Sequence, residues 1–140
     1  MTADPQMSKL SERIRKASRV EPAPLGFALA AGPASAPTMM CLVSLSANEA
    51  AKAADAAEKG ADAVIIEGAD ARKLKDAGGP DGVALGVRPQ RAERETISAL
   101  RQAGADFAVI DPEQTMAEAL LEEKMGYVLS IAADVANCEQ

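Results

Sequence analysis

Two acids and one arginine stand at the ends of short apolar runs in this sequence. Glu67, Arg88 and Asp111 each follow four or five apolar or small residues. A carboxylate can serve as a general base or as a magnesium ligand, and a guanidinium can bind a carboxylate or phosphate through paired N–H groups. Glu67 and Asp111 are therefore candidate catalytic residues or magnesium ligands, and Arg88 is a candidate for binding an acidic substrate.

Two stretches, residues 60–67 and 104–111, repeat one pattern. Each opens with Gly-Ala-Asp, continues as an apolar run and ends in a carboxylate seven residues after the glycine. Glu67 and Asp111 are thus equivalent positions. Because each run is continuously apolar and too short for a helix, it is typical of a strand buried on both faces of a parallel sheet.

Helix and strand signals alternate along the chain. Capping boxes predict helices that begin at Ser46 and Thr115, and two further helices are predicted from Asp70 to Gly78 and over residues 90–103. The predicted strands are residues 39–44, 63–67, 83–88, 107–111 and 127–132. This alternation is the pattern of successive βαβ units, and it predicts an α/β fold with a parallel sheet. The apolar run at residues 25–30 is a further strand candidate, although only eight residues separate it from residue 39.

The N-terminal segment is basic and amphipathic. Leu10, Ile14 and Ala17 recur at helical spacing among lysine and arginine residues. We interpret residues 1–22 as an N-terminal basic amphipathic helix with a linker, and residues 23–140 as a single α/β domain.

The carboxyl ends of parallel strands are where α/β proteins gather their ligands. That rule selects Glu67, Arg88 and Asp111, and it adds Ser44 and Ser130 as substrate-binding candidates. With the strands adjacent in chain order, Arg88 would stand between two acids that lie roughly 10 Å apart. An ion-pair network bridged by arginine is then easier to form than a carboxylate dyad that shares a proton.

The helix, Gly-Ala-Asp, apolar strand and terminal carboxylate together resemble the repeating unit of (β/α)8 TIM-barrel enzymes. A complete barrel takes about 250 residues and eight strands, whereas this 140-residue chain supplies five or six. The resemblance therefore implies a fragment, an open sheet, or a half barrel that is completed by association. The apolar strand at residues 127–132 would be an unprotected edge, which predicts a homodimer.

Composition excludes several classes of function. A net charge of −6 and an aromatic content of 2% disfavour nucleic acid and anionic membranes as partners. The chain has no histidine, which excludes histidine-dependent catalytic triads within one chain. No apolar run is long enough to span a bilayer and the first residues lack the features of a signal peptide, so a cytoplasmic location is expected.

Two functions from different classes remain open on the sequence alone. One is a non-catalytic module that binds a small acidic ligand at the strand ends. The other is an enzyme that acts on a small acidic substrate, with Glu67 or Asp111 moving a proton or holding Mg²⁺.

Overall fold

The computed structural model describes residues 8–18, 39–79, 82–115, 117–122 and 125–131. Four α-helices and five strands alternate there, with two short 3₁₀ helices. The α-helices are α1 (Lys9–Ser18), α2 (Ala53–Glu58), α3 (Ala71–Asp76) and α4 (Arg94–Gln102). The strands are β1 (Leu42–Ser46), β2 (Ala63–Glu67), β3 (Ala84–Arg88), β4 (Phe107–Ile110) and β5 (Gly126–Leu129). The first 3₁₀ helix is Ala47–Lys52 and the second is Ala117–Leu121.

The five strands form one sheet in which every neighbouring pair is parallel. Their spatial order is the chain order, β1-β2-β3-β4-β5. This confirms the predicted α/β fold with a parallel sheet and an N-terminal helix. Because parallel crossovers are almost always right-handed, an unbroken order puts successive connections on one face of the sheet. The face opposite these connections is then left for other contacts.

The helix-covered face holds the larger core. Alternate strand residues such as Val64, Ile66 and Val87 are fully buried there, and they pack in one cluster with Leu74 of α3 and Ile97 of α4. Gly60 and Gly104 end the helices before β2 and β4, with φ of 96° and 107°. Those positive values are what glycine permits at little cost, so the Gly-Ala-Asp pattern marks helix-to-strand turns as expected.

The opposite face has a smaller core at the amino end of the strands. Phe107 is fully buried and packs with Leu10 of α1 and with Ala63 and Ala84. Its ring lies directly over Gly86 of β3, where an added Cβ would collide with the ring atoms. Gly86 is therefore required by the close approach of Phe107.

Helix α1 is held against this end of the sheet by the aspartates of the Gly-Ala-Asp pattern. The Asp106 carboxylate accepts hydrogen bonds from the backbone N–H groups of Lys9 (2.7 Å) and Leu10 (3.0 Å). The Ser8 hydroxyl accepts the next N–H, from Ser11, at 3.2 Å. A helix leaves its first N–H groups without partners inside the helix, so Asp106 caps α1 from a position 97 residues away in the chain.

Asp62, the equivalent of Asp106, joins three segments. Its carboxylate accepts the N–H of Cys41 at 2.8 Å and forms an ion pair with Arg13 at 3.1 Å. Arg13 also donates to the carbonyls of Asp62 and Gly82. The amino ends of three strands are thereby tied to α1.

Four predictions about these elements are wrong in a boundary, a cap or a helix type, and one predicted cap is confirmed. Strand β1 runs from Leu42 to Ser46 rather than over residues 39–44. Ser46 makes no capping hydrogen bond to the backbone, and its hydroxyl instead bonds the Glu49 carboxylate at 3.2 Å. The segment that follows Ser46 is a 3₁₀ helix, which leads into α2. The helix expected from Thr115 is a 3₁₀ helix, and α4 begins at Arg94 rather than near residue 90. Asp70 does cap α3, accepting the Lys73 N–H at 2.9 Å, and that bond lowers the pKa of Asp70. The strand candidate at residues 25–30 lies outside the described residues.

A polar cluster joins α4 to the segment before β5. The Glu122 carboxylate accepts from the Ser98 hydroxyl at 2.8 Å and pairs with Arg101. Both contacts favour the ionised acid and lower the pKa of Glu122. Tyr127 donates its hydroxyl to the carbonyl of Ala119 at 2.9 Å, and burial raises the pKa of this phenol.

None of the helices in the described part of the chain has the length and apolar character that a bilayer crossing requires.

Candidate functional site

Polar side chains meet at the carboxyl end of the sheet, on the face opposite the helical connections between the strands. Glu67 and Arg88 are register partners on β2 and β3, and Ser46 is the partner of Glu67 on β1. Because side chains alternate along a strand, Ser44 shares this face with Ser46. The parallel register therefore brings residues from different strands into one row.

The row is connected by contacts between side chains. The Ser44 hydroxyl donates to Oε1 of Glu67 at 2.8 Å. Nη1 of Arg88 lies 3.8 Å from the same oxygen. Nη2 of Arg88 donates to the hydroxyl of Ser130 at 3.0 Å. Four of the five predicted site residues thus form one chain of contacts.

Ser44 belongs to this row of contacts, but its position in the strand differs from the prediction. It was selected as the last residue of the first strand, but it lies in the middle of β1, two residues before the end. Its side chain reaches Glu67 because it stands on the same face as Ser46, the true terminal residue.

Asp111 lies at the same edge but has different partners. Its Oδ1 accepts the N–H of Glu113 at 2.9 Å, and its carbonyl accepts the Thr115 hydroxyl at 2.5 Å. Within the described residues Arg88 forms its ion pair with Glu67, and Asp111 is not a partner. The β3–β4 register aligns Val87 with Ala108, which sets Arg88 level with Val109 and short of Asp111.

A cavity of about 220 Å³ opens beside Arg88. Its polar wall comes from the segments that follow three different strands. The lining side chains with polar groups are Arg88, Gln90, Asp111, Gln114, Thr115 and Ser130. Val109, Ile110 and Ala92 form part of its apolar wall. Two predicted residues that do not touch each other, Arg88 and Asp111, therefore face one shared space.

The charged members of this site are largely open to water. The side chains of Arg88 and Glu67 are 46% and 50% exposed. Ion pairs at such positions contribute little to stability, about 0–1 kcal/mol. The fold does not depend on this pair, so Arg88 can exchange Glu67 for a ligand at low cost.

Sequence reasoning missed Gln90, Gln114 and Thr115. All three follow β3 or β4 by two to five residues. The signal available was position, because the loops after parallel strands form the ligand-facing edge in this class of fold. The turn closed by Asp111, through Glu113 and Thr115, carries Gln114 and Thr115 into the wall.

Across residues 8–18, 39–79, 82–115, 117–122 and 125–131, no group of three or more cysteine, aspartate or glutamate side chains is arranged to hold a metal ion. The role of Glu67 and Asp111 as magnesium ligands stays a prediction. Comparison with models of known protein families, with curated proteins and with solved structures finds no significant match for this chain.

Proposed function

We propose that this protein is a non-catalytic, homodimeric module that binds a small carboxylic acid at the carboxyl end of its sheet. The observation that carries the proposal is the position of Arg88 in the wall of the 220 Å³ cavity. A guanidinium has five N–H donors, and one of them is used by Ser130. Its contact with Glu67 is long, at 3.8 Å, and half exposed.

The lining favours a small ligand of low charge. The volume lies below the ~300–1,000 Å³ typical of sites for drug-sized molecules. Arg88 supplies one positive charge and Asp111 one negative charge, so the lining has no excess positive charge to balance a multiply charged phosphate, and Arg88 alone can balance a monocarboxylate. The carboxylate of Asp111 can accept a hydrogen bond from a ligand hydroxyl, and the amides of Gln90 and Gln114 can bind further polar atoms. A hydroxy acid satisfies this set better than a plain fatty acid does.

Calorimetric titration of acetate, glycolate and inorganic phosphate into the full chain tests this proposal. Glycolate should bind more tightly than acetate or phosphate. Arg88→Gln should weaken glycolate at least about tenfold, since hydrogen bonds to charged groups contribute ~1.5–3 kcal/mol and 1.4 kcal/mol is a factor of ten.

The matched control is Arg91→Gln, which removes an exposed arginine three residues away. It should leave glycolate affinity unchanged. The absence of binding by all three probes, or an equal loss in the two variants, would reject the site.

An enzyme acting on a small acidic substrate is the second candidate, because Asp111 faces the same cavity as Arg88. In that case Asp111 or Glu67 would accept a proton from the bound substrate or hold Mg²⁺ against it. Titration of Mg²⁺ and Mn²⁺ into wild type and into the Glu67→Gln, Asp111→Asn double variant separates these roles. Specific binding that the double variant abolishes would favour metal-assisted chemistry. Its absence would remove the metal role.

Self-association is part of the proposal, because the described sheet ends in two edge strands, β1 and β5. Open strand edges carry backbone groups that are ready to pair with another chain. We expect a homodimer in the cytoplasm that buries more than ~1,000 Å². Light scattering of the wild-type chain decides this, and a monomer at tens of micromolar would contradict it.

A further inference from the structure

Among the residues that the structure describes, nothing pairs with the outer edge of β1, and this open edge is a groove. On the helix-covered side of the sheet, β1 and the helical segment after it enclose an apolar trough of about 400 Å³. Val43 and Leu45 are half-buried there, and Ala56 of α2 stands opposite them. Lys52 and Lys59 stand at the rim together with one acid, Asp55. A further strand and its apolar side chains would fill this trough.

The open edge at β5 has the opposite character, because apolar side chains project from it. Leu129 is 55% exposed and Ile131 is 73% exposed. The second 3₁₀ helix, which Tyr127 ties to β5, adds Leu120 and Leu121 at 44% and 60%. Glu118 of the same helix is exposed as well. Exposed apolar groups on two segments that are joined in this way are typical of association surfaces in soluble proteins.

The backbone directions of the two edges also match. The carbonyl of Cys41 accepts from β2, so by alternation the backbone groups of Leu42 and Ser44 point to the open edge of β1. At the other edge, the N–H groups of Gly126 and Ser130 donate towards β4. The backbone groups of Leu129 and Ile131 therefore point to the open edge of β5.

These two sets are the ones that a parallel pair requires. The β4–β5 pair shows the rule. Ile110, whose side chain lies on the helix-covered face of β4, accepts a backbone hydrogen bond from Ser130, whose side chain lies on the opposite face of β5. At the open edge of β5, the free backbone groups belong to residues whose side chains lie on the helix-covered face. At the open edge of β1, they belong to residues whose side chains lie on the opposite face. The β1 strand of a second copy thus fits the place of a sixth strand, with its helices on the same side of the sheet.

We infer that two copies of this chain associate head to tail, with β5 of each copy paired in parallel with β1 of the other. The inference rests on the self-association proposed above and specifies its surfaces. Leu129 and Leu121 of one copy fill the trough beside Ala56 of the other. Glu118 approaches Lys59 at its rim, since Lys52 already pairs with Glu49 at 2.7 Å. Two such contacts around a two-fold axis leave neither edge of the described five-stranded sheet open, whereas a single contact would leave one edge free in each copy.

Single-edge variants test this arrangement in the full chain. Ala56→Arg fills the trough but leaves the β5 edge intact, and Leu129→Glu blocks the β5 edge but leaves the trough intact. By light scattering, each variant alone should lose the dimer and show half the wild-type mass. An equimolar mixture should form a heterodimer, because one intact contact remains between the two variants. Lys59→Glu, at an exposed rim position, is a second block of the trough and should pair with Leu129→Glu in the same way.

The control is Ile14→Glu, which places a charge at an apolar side chain of similar exposure, 52%, on α1. This variant should keep the wild-type mass, and circular dichroism should show all variants folded. If Ala56→Arg or Lys59→Glu alone stays dimeric, or the mixtures stay monomeric, the head-to-tail arrangement is wrong. If the wild type itself is a monomer, the proposed self-association is wrong, and the head-to-tail arrangement is wrong with it.

Discussion

The acids that precede strands β2 and β4 differ from the acids that follow them. Asp62 and Asp106 are half-buried, and their carboxylates accept backbone N–H groups of other segments. Glu67 and Asp111 are exposed; Glu67 contacts the side chains of other strands, and Asp111 accepts an N–H of its own turn. The same repeat thus supplies one acid that holds other segments of the fold and one that stands exposed at the carboxyl edge of the sheet. Residue type alone does not separate these roles, but position along the strand does.

The amino end of the sheet is a packed structure, and the carboxyl end of the same face is open. Leu10 and Phe107 fill the amino end, and α1 closes it. At the carboxyl end the charged side chains border a cavity. Substitutions at the amino end should therefore change stability, and substitutions at the carboxyl end should change binding.

The largest effect is expected at Phe107. Phe107→Ala should lower the free energy of unfolding by about 3–5 kcal/mol, because it removes a fully buried ring and leaves a cavity over Gly86. Urea denaturation measures the loss. Leu42→Ala on the same face, at a side chain that is 45% exposed, should cost less than about 1 kcal/mol. Similar costs for the two variants would mean that the amino end is not the packed part of this face.

The next largest effect is expected from comparing the two acids that flank β4, Asp106 before the strand and Asp111 after it. Asp106→Asn should lower the free energy of unfolding by about 1–3 kcal/mol, because the charged acceptor for two N–H groups of α1 is lost. Asp111→Asn should change it by less than about 0.5 kcal/mol, as expected for a surface position. Thermal or urea unfolding of the two variants checks this, and equal losses would erase the distinction between the ends.

The sequence predicts the strands and the residues at their carboxyl ends better than it predicts the contacts between side chains. The apolar runs before Glu67, Arg88 and Asp111 fix β2, β3 and β4 because burial on both faces leaves a continuous signal. The cap that Asp106 provides for α1 could not be predicted, since its partners Lys9 and Leu10 lie 97 and 96 residues away in the chain. Arg88 likewise finds Ser130 across 42 residues, which only the folded sheet brings together.

Local signals also failed where two structures compete. Ser46 reads as a helix cap, but pairing with Glu67 extends β1 through this residue. The helix signals after Ser46 and Thr115 are satisfied by 3₁₀ turns. At Ser46 the end of a strand and the start of a helix share one residue, so the sequence pattern alone does not fix that boundary.

A smaller effect on the free energy of unfolding is expected at Glu122, where varying the pH separates the contribution of the charge from that of side-chain packing. Because the folded-state pKa lies below the ordinary 4.5, the ionised acid contributes stability that is complete above that value and is lost as pH falls through the folded pKa. Wild type should therefore exceed Glu122→Gln in stability at pH 7, and the gap should shrink on acidification below about 4.5. Urea unfolding over this pH range measures the gap. A gap that does not depend on pH would assign the difference to packing.

The smallest effect on stability is expected at Arg88. Arg88→Gln removes an ion pair with two half-exposed partners, so the free energy of unfolding should change by less than about 0.5 kcal/mol. The same variant should weaken glycolate binding at least about tenfold. A loss of stability as large as that of Asp106→Asn would make Arg88 a structural residue, and the carboxyl end would then resemble the amino end.

The most direct test of the contrast between the two ends is a map of where a small acid binds. Backbone amide chemical shifts can be followed by NMR while glycolate is titrated into the full chain. The largest changes should fall at Gln90, Gln114 and Ser130, with none around Asp62 or Asp106, and Arg88→Gln should remove them. Changes centred on the amino ends of the strands, or none at any concentration, would contradict the assignment of ligand binding to the carboxyl end.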